Sequence, residues 1–161
     1  MKIPKKQSDI LVKTYLEYEN YIKSLDKDNY DNNDVLKNTV KIFYQLTDEQ
    51  YNNLTYKNVT DLNQIIVNIL KVPQSLVVKF KHNKKWYAIN PNFDDLTMAE
   101  WVDLDCDDVL KQISILYRPI KHKLFKKYTI VPYKADISIY DDMKEWLTMD
   151  IYTGFVSFFL N

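Results

Sequence analysis

The spacing of the apolar residues changes once along this chain, and that change constrains the fold more than any other feature. Up to about residue 73 the apolar positions recur every three or four residues, the period of a helix that buries one face. Thr47 and Gln50 have the spacing of a capping box, which marks the start of a helix. The pattern predicts four helices: one capped by Ser8 and running to about Leu25, one opened by Asp34, a short one capped by Thr47, and one capped by Thr60 or Asp61 and closed by Pro73.

From Leu76 the period becomes two, which is typical of a strand with one buried face. Residues 76–81 and 86–89 are predicted to form a β-hairpin around a turn that contains Asn83, and residues 128–131 to form a third strand. Further helices are predicted: one capped by Thr97, with Glu100 in the capping-box position and Trp101 and Leu104 inward; one started by Asp107 and Asp108 that stops before Pro119; and two over residues 140–147 and 148–159.

These elements predict an α+β fold that is mostly helical, with a small antiparallel sheet in the middle of the chain. The length of 161 residues suits one domain. We therefore predict a single domain over residues 1–161, with a helical half, 1–73, and a half of hairpin plus helices, 76–161. The longest apolar stretch, 151–160, is about half of the ~20 residues that span a bilayer, and the N-terminal segment lacks the apolar region of a signal peptide. We expect neither a signal peptide nor a membrane span.

The charges of the chain balance, with 22 basic and 22 acidic residues, and Arg118 is the only arginine. Proteins that bind nucleic acid usually carry a basic excess, and they use arginine to bind phosphate and guanine. The composition therefore argues against nucleic acid as the main partner. Four lysines within residues 79–85, beside Trp86, leave two interpretations open. They suit single-stranded nucleic acid, or they are solvated lysines that protect a strand edge from unwanted pairing.

Seven acidic residues between positions 94 and 108 suggest a metal site, but their spacing does not fit one. Residues 103–107 match the start of a calcium loop, whereas the sixth position is Asp108 instead of glycine and the twelfth is Ser114 instead of glutamate. We interpret these acids as helix-start carboxylates and solvated side chains, and we predict no functional metal. The cluster consists of Asp94, Asp95, Glu100, Asp103, Asp105, Asp107 and Asp108.

No side chain has the sequence context of a catalytic group. The single cysteine, Cys106, is expected to be a small buried hydrophobe, and it cannot form a disulfide within the chain. His82 and His122 are 40 residues apart, which is not a metal-ligand spacing. Gly154 is the only glycine, so neither a phosphate-binding loop nor a nucleophile elbow is possible. We expect a chain that is not an enzyme, with no catalytic residues, no metal and no cofactor.

The segment 151–160 is apolar around most of the circumference of its predicted helix. A helix of this kind must be covered on most sides. Because it is the last helix of the chain, we expect it near the surface, with part of its apolar face against another chain. An ordinary core helix is the alternative. The predicted interface consists of Ile151, Phe155, Phe158 and Phe159, together with Val156 and Leu160.

Three stretches in the second half resemble short proteins of tailed bacteriophages. They are residues 85–92 (KWYAINPN), 96–105 (LTMAEWVDLD) and 115–120 (ILYRPI). In that family a K-x-Y strand leads to LTxxEWxDLD and then ILYRPI, and the chain ends in an aromatic-rich helix similar to residues 156–160. The resemblance covers roughly residues 76–161 and nothing of the N-terminal half. The preference for Lys, Asn, Ile and Tyr is similar to that of crAss-like phages, whose genomes are rich in A and T.

The resemblance implies a non-enzymatic virion protein that acts by protein–protein contacts: a ring, adaptor or cargo subunit of the portal–tail region. Its partners would be other phage virion proteins, in a symmetric multi-copy assembly, and its location the virion after synthesis in the bacterial cytoplasm. The alternatives are a tail-assembly chaperone absent from the mature virion, and a small enzyme or nucleic-acid modulator. The family pattern has no catalytic residues to carry over. The position of Arg118 within ILYRPI suggests a structural ion pair with a carboxylate of the acidic segment, or a cap on helix carbonyls.

Overall fold

The computed structural model describes residues 2–26, 30–124, 127–135 and 137–159, and the contacts divide them into two compact units. The first unit holds the chain up to Gln74 together with Trp146–Asp150. The second unit holds Ser75–Glu145 and the chain from Ile151 onward. That residues 1–161 form a single domain stays a prediction.

The first unit contains four helices: α1 (Val12–Ser24), α2 (Asn32–Tyr44), α3 (Asp48–Asn52) and α4 (Tyr56–Leu70). The capping box predicted at Thr47 and Gln50 is present at the start of α3. Helix α4 starts earlier than predicted, because Thr55 and Asn58 form a second capping box, so neither Thr60 nor Asp61 is the cap. Asparagine replaces the usual Glu or Gln of this motif, which hides the box from the sequence pattern.

The first helix also starts later than predicted. Ser8 lies in a short 3₁₀ turn, and α1 begins only at Val12. The residue before it, Leu11, is extended and forms an antiparallel bridge with Thr148. Pairing with a segment far along the chain therefore replaces the first turn of the predicted helix.

The buried side chains of the first unit come mainly from one face of α2 and one face of α4. Tyr44 is buried with its polar tip satisfied, since its hydroxyl donates to the Leu62 carbonyl at 2.9 Å. Burial raises the pKa of Tyr44 to about 12. The core of this unit consists of Ile10, Val12, Val40, Phe43, Tyr44, Val59, Leu62, Ile66, Ile69, Leu147 and Met149.

The second unit contains a four-stranded antiparallel sheet in the order β1 (Lys79–His82), β2 (Lys85–Ile89), β3 (Tyr117–Leu124) and β4 (Lys127–Ile130). The predicted hairpin is β1–β2. Its turn residues, Asn83 and Lys84, have φ of 44° and 66°, as a two-residue type I′ turn requires. One antiparallel sheet among many helices confirms the predicted α+β class.

Strand β3 was not predicted, because Pro119 lies within it. Proline lacks an N–H and is rare in strands that have neighbours on both sides. Here β3 pairs with β2 up to Pro119, and its pairing with β4 begins at Ile120. The Pro119 carbonyl accepts from the Val131 N–H at 2.9 Å. The missing donor would point the same way, toward Val131 beyond the end of β4, so no bond of the β2–β3 ladder is lost.

Four helices complete the described chain: α5 (Met98–Leu104), α6 (Val109–Leu116), α7 (Ile137–Trp146) and α8 (Met149–Phe159). In the second unit, α8 residues cover one face of the sheet. The Tyr117 ring centroid lies 5.6 Å from that of Phe80 and 6.3 Å from that of Phe155. The Tyr117 hydroxyl donates to the Val77 carbonyl at 2.8 Å. Packed aromatic rings therefore cover this face of the sheet, and the buried Tyr117 hydroxyl has a hydrogen-bond partner.

None of the helices in the described ranges combines the length and the apolar character needed to cross a membrane.

Candidate functional site

Helix α5 buries a charge and exposes apolar side chains, which reverses the usual arrangement of a surface helix. Glu100 is only 2% exposed. Met98, Trp101 and Val102 are 77%, 54% and 68% exposed. At 3.6 residues per turn these three side chains fall within a sector of roughly 100°, and Glu100 lies on the other side of the helix. The helix therefore presents an apolar face to solvent.

Two interactions of Glu100 fix the rotation of α5. Its Oε2 accepts from the Thr97 backbone N–H at 2.7 Å and from the Thr97 hydroxyl at 2.8 Å, which completes the predicted capping box. Its Oε1 lies 2.7 Å from Arg118 Nη2 on β3. Because Glu100 points inward, the following residue is turned by about 100° around the axis. The prediction that Trp101 faces inward is therefore wrong.

Arg118 is buried and forms an ion pair with one carboxylate, that of Glu100. Burial lowers the pKa of Arg118, and the charge of Glu100 opposes this effect. The Tyr133 ring centroid lies 5.9 Å from the guanidinium carbon, within the range of a cation–π contact. The Arg118 Nε–H has no acceptor among the described residues. The Glu100–Arg118 pair is buried, and it links α5 to β3 in the interior of the second unit.

Exposed carboxylates flank α5 along the chain, with Asp94 and Asp95 before the helix and Asp105 and Asp107 after it. A surface with an apolar centre and a charged rim is typical of a protein-binding site. Its negative rim suits a partner whose own apolar patch has a positive margin. We define the α5 face as Met98, Trp101 and Val102 with the exposed carboxylates Asp94, Asp95, Asp105 and Asp107.

The other members of the acidic cluster are used inside the second unit. Asp108 caps α6 by accepting from the backbone N–H groups of Leu110 and Lys111, and it also accepts from the Tyr140 hydroxyl. Asp103 lies 3.6 Å from the Lys111 ammonium. Within the described ranges, no three His, Cys, Asp or Glu side chains are grouped so as to hold a metal ion.

A cavity of about 440 Å³ lies in the second unit, lined by residues of α6, β3 and α7 and by the segment before α7. Four of the charged groups that line it, Asp103, Asp108, Lys111 and Arg118, have partners nearby. Tyr133 donates to Asp103, and burial together with this hydrogen bond raises the pKa of Tyr133 to about 12. Ser114 in its wall and Cys106 nearby donate to the backbone carbonyls of Lys111 and Asp108. In this described region neither is activated by a general base, as nucleophilic catalysis requires.

The sheet face opposite Tyr117 bears lysines around an exposed tryptophan. Lys81 is paired directly across from Trp86, and Lys79 across from Ala88. Ala88 in turn is paired with Arg118, so these side chains share the face on which Arg118 meets Glu100. The Lys123 ammonium lies 5.9 Å from the Trp86 ring centroid. We define the lysine–tryptophan face as Lys79, Lys81, Trp86 and Lys123.

The four lysines grouped by the sequence are thus divided by the fold. Lys84 belongs to the turn, and Lys85 is paired with His82 on the other face of the hairpin. Lys123, which is far from the group in sequence, replaces them beside Trp86. Register, and not sequence proximity, decides which lysines share a surface.

The residues predicted at a C-terminal interface are separated by the structure. Ile151 and Phe155 are buried in the chain's own core. Phe158 is 61% exposed, while Phe159 is half-buried, 4.6 Å from Phe155 between ring centroids. Leu160 lies outside the described residues. Ile151 and Phe155 are therefore core residues, because the sheet needs a cover, whereas an interface role for Phe158 and Phe159 stays a prediction.

Sequence reasoning missed Met98 and Val102. Their spacing with Trp101 was visible as a helical stripe, but such a stripe ordinarily indicates a buried face. The contrary signal was Glu100, whose capping-box position ties it to the backbone of Thr97. Only its pairing with Arg118, 18 positions further on, turned the apolar stripe outward.

The chain matches no family model, and neither a curated protein nor a solved structure matches it.

Proposed function

We propose that this protein is a non-enzymatic structural subunit of a bacteriophage virion, a ring, adaptor or cargo subunit of the portal–tail region, acting by protein–protein contacts. The observation that carries this proposal is the α5 face. Its three large apolar side chains are each more than half exposed and lie on one side of one helix. Apolar side chains that cluster in this way, with tryptophan among them, are typical of interaction sites, whereas single exposed ones are common everywhere.

The support beneath α5 favours a preformed binding surface. Rotating the helix to bury Trp101 would separate Glu100 from Arg118 and leave a buried charge unpaired. Separating a buried ion pair costs about 3–5 kcal/mol, which exceeds the ~1.5–3 kcal/mol gained by burying one large apolar side chain. Trp101 therefore stays exposed in the free chain. A surface held ready in this way saves the cost of ordering it on binding.

The phage setting rests on the resemblance of residues 76–161 to short proteins of tailed phages. In this chain Glu100 belongs to the LTxxEWxDLD stretch and Arg118 to the ILYRPI stretch, and the two are ion-paired. The two stretches thus build one structure, the α5 face and its support. This supports the view that the shared pattern serves the same interaction surface.

Quantitative mass spectrometry of purified virions of a phage that encodes this protein would test the proposal. We expect the protein in the particle, in a fixed number of copies greater than one. A protein abundant in infected cells but absent from purified particles would contradict the proposal and identify a tail-assembly chaperone instead.

A pair of matched variants tests the α5 face itself. Trp101→Lys places a charge at the centre of this face, and we expect at least a tenfold loss of incorporation into particles with an unchanged circular-dichroism melt. Tyr56→Lys is the control, since Tyr56 is 74% exposed and belongs to the first unit. Its incorporation should equal that of the parent. Normal incorporation of Trp101→Lys, or an equal loss for both variants, would remove the α5 face from the proposal.

A further inference from the structure

We infer that the partner of the α5 face is a second copy of this chain, bound through its lysine–tryptophan face. The inference rests on the proposed function, because it names the partner of the surface that carries that function. Both surfaces belong to the second unit, and each has an exposed tryptophan, Trp101 in one and Trp86 in the other. Their charged rims have opposite signs.

The balanced net charge of the chain hides a strong local separation of charge. The lysine–tryptophan face bears three exposed lysines, while the α5 face bears four exposed carboxylates and no lysine or arginine. Opposite charges around two apolar patches attract the patches and set their orientation. Since both patches occur on every copy, every copy offers a complementary surface to the next.

The two surfaces lie on the same side of the sheet. Trp86 and Lys81 share the sheet face of Arg118, and Glu100 reaches this face from α5. The apolar side chains of α5 point away from the sheet, because Glu100 points toward it. The α5 face therefore stands above the sheet, beside a part of the same sheet face that bears exposed lysines.

A two-fold pairing satisfies both surfaces at once. In this arrangement α5 of each copy covers the lysine–tryptophan face of the other copy, so every favourable contact occurs twice. The pairing buries Trp86 and Trp101 of both copies and leaves no free α5 face. The expected assembly is a closed dimer. Its formation should weaken as salt is added, because the charged rims are exposed.

Charge exchange tests this pairing directly. One variant, Lys81→Glu/Lys123→Glu, makes both surfaces acidic; the other, Asp94→Lys/Asp95→Lys/Asp105→Lys, makes both basic. Sedimentation velocity at low salt should show a dimer for the parent and at least tenfold weaker association for each variant alone. An equimolar mixture of the two variants should restore the dimer, because each altered surface then meets its complement. Misfolded variants would not be rescued in this way.

Apolar variants give a second readout. Trp86→Ala and Trp101→Ala should each weaken association at least tenfold, while Tyr56→Ala, the matched exposed residue of the first unit, should leave it unchanged. A monomeric parent, or a mixture that stays monomeric, would overturn the inference, and an assembly heavier than a dimer would overturn the two-fold arrangement. Oligothymidylate that binds a monomeric parent and not Lys81→Glu/Lys123→Glu would identify nucleic acid as the occupant.

The two proposals fail separately. A monomeric protein whose incorporation into virions still depends on Trp101 would sink the self-association and keep the proposed function. A dimer that forms as described but is absent from virions would sink the proposed function and keep the self-association.

Discussion

Arg118 Nη2 lies 2.7 Å from Glu100 Oε1, and both side chains are buried. Replacing Arg118 by methionine leaves the carboxylate buried without its cation. We expect a loss of about 3–5 kcal/mol in the free energy of unfolding, measured by urea denaturation. The control is Lys41→Met, which breaks the pair between Lys41 and the exposed Asp48 and should cost ~0–1 kcal/mol.

The double variant Arg118→Met/Glu100→Gln shows whether the loss of stability in Arg118→Met comes from the unpaired carboxylate or from poorer packing. With neither charge left, it should be more stable than Arg118→Met alone, since the glutamine carbonyl still accepts from the Thr97 N–H. Arg118→Lys retains the charge and loses the planar fork, so it should melt below the parent. A melting temperature equal to that of the parent would show that the charge at position 118 is sufficient and that the planar fork of Arg118 contributes nothing.

Phe155 and Phe158 belong to the same helix, α8, but replacing each of them by alanine should have very different effects on stability. Phe155 is buried next to Tyr117, so Phe155→Ala should cost about 3–5 kcal/mol of unfolding free energy. Phe158 is mostly exposed, so Phe158→Ala should stay within about 0.5 kcal/mol of the parent. Equal effects in urea denaturation would contradict the assignment of Phe155 to the core.

Gly154→Ala should destabilise the protein, although alanine is normally the better helix former by about 1 kcal/mol. A Cβ at position 154 would lie 2.5 Å from the Ser75 carbonyl oxygen and 3.1 Å from its carbon, and backbone atoms cannot simply move aside. We expect a net loss of about 1–3 kcal/mol by chemical denaturation. Ser157→Ala, at an exposed position of the same helix, is the control and should be neutral or slightly stabilising. A Gly154→Ala variant as stable as the parent would mean that Ser75 does not pack against the helix.

Lys84→Gly should stabilise the hairpin. Lys84 has φ of 66°, a left-handed conformation that costs a side-chain-bearing residue roughly 1 kcal/mol and glycine almost nothing. An Asn-Gly pair is also the preferred sequence for this turn. We expect a gain of about 0.5–1 kcal/mol in thermal unfolding, whereas Lys85→Gly, inside β2, should lower stability. A lower melting temperature for Lys84→Gly would contradict the turn geometry.

Tyr44 should make the protein sensitive to alkali. Its pKa is about 12 in the folded chain and about 10 when unfolded. Between these values the unfolded chain releases a proton that the folded chain retains, so stability present below pH 10 is lost as the pH rises toward 12. In Tyr44→Phe the unfolding free energy should therefore fall less steeply with pH in this range. The difference in slope should correspond to at most about one proton. An unchanged slope would place the phenol of Tyr44 in solvent.

The sequence by itself was sufficient for the α+β class, the β1–β2 hairpin and the capping boxes at Thr47 and Thr97. Each of these depends on residues within a few positions of one another: the alternation of apolar side chains, an Asn in a two-residue turn, or a hydroxyl three residues before its partner. Local hydrogen bonds and local periodicity depend on residues that are close together in the sequence, so the sequence alone predicts them. The fold class followed because these local signals agree with one another.

Only the tertiary structure decided which way α5 faces and which lysines lie beside Trp86. The first depends on Glu100 and Arg118, and the second on Lys123 reaching Trp86 across β2 and β3. Strand β3 formed despite Pro119 because both of its neighbours supply partners from elsewhere in the chain. A buried charge must find its counter-charge wherever the chain brings it, and this requirement outweighs the burial of Trp101. That competition is settled by contacts between distant residues, which no local pattern records.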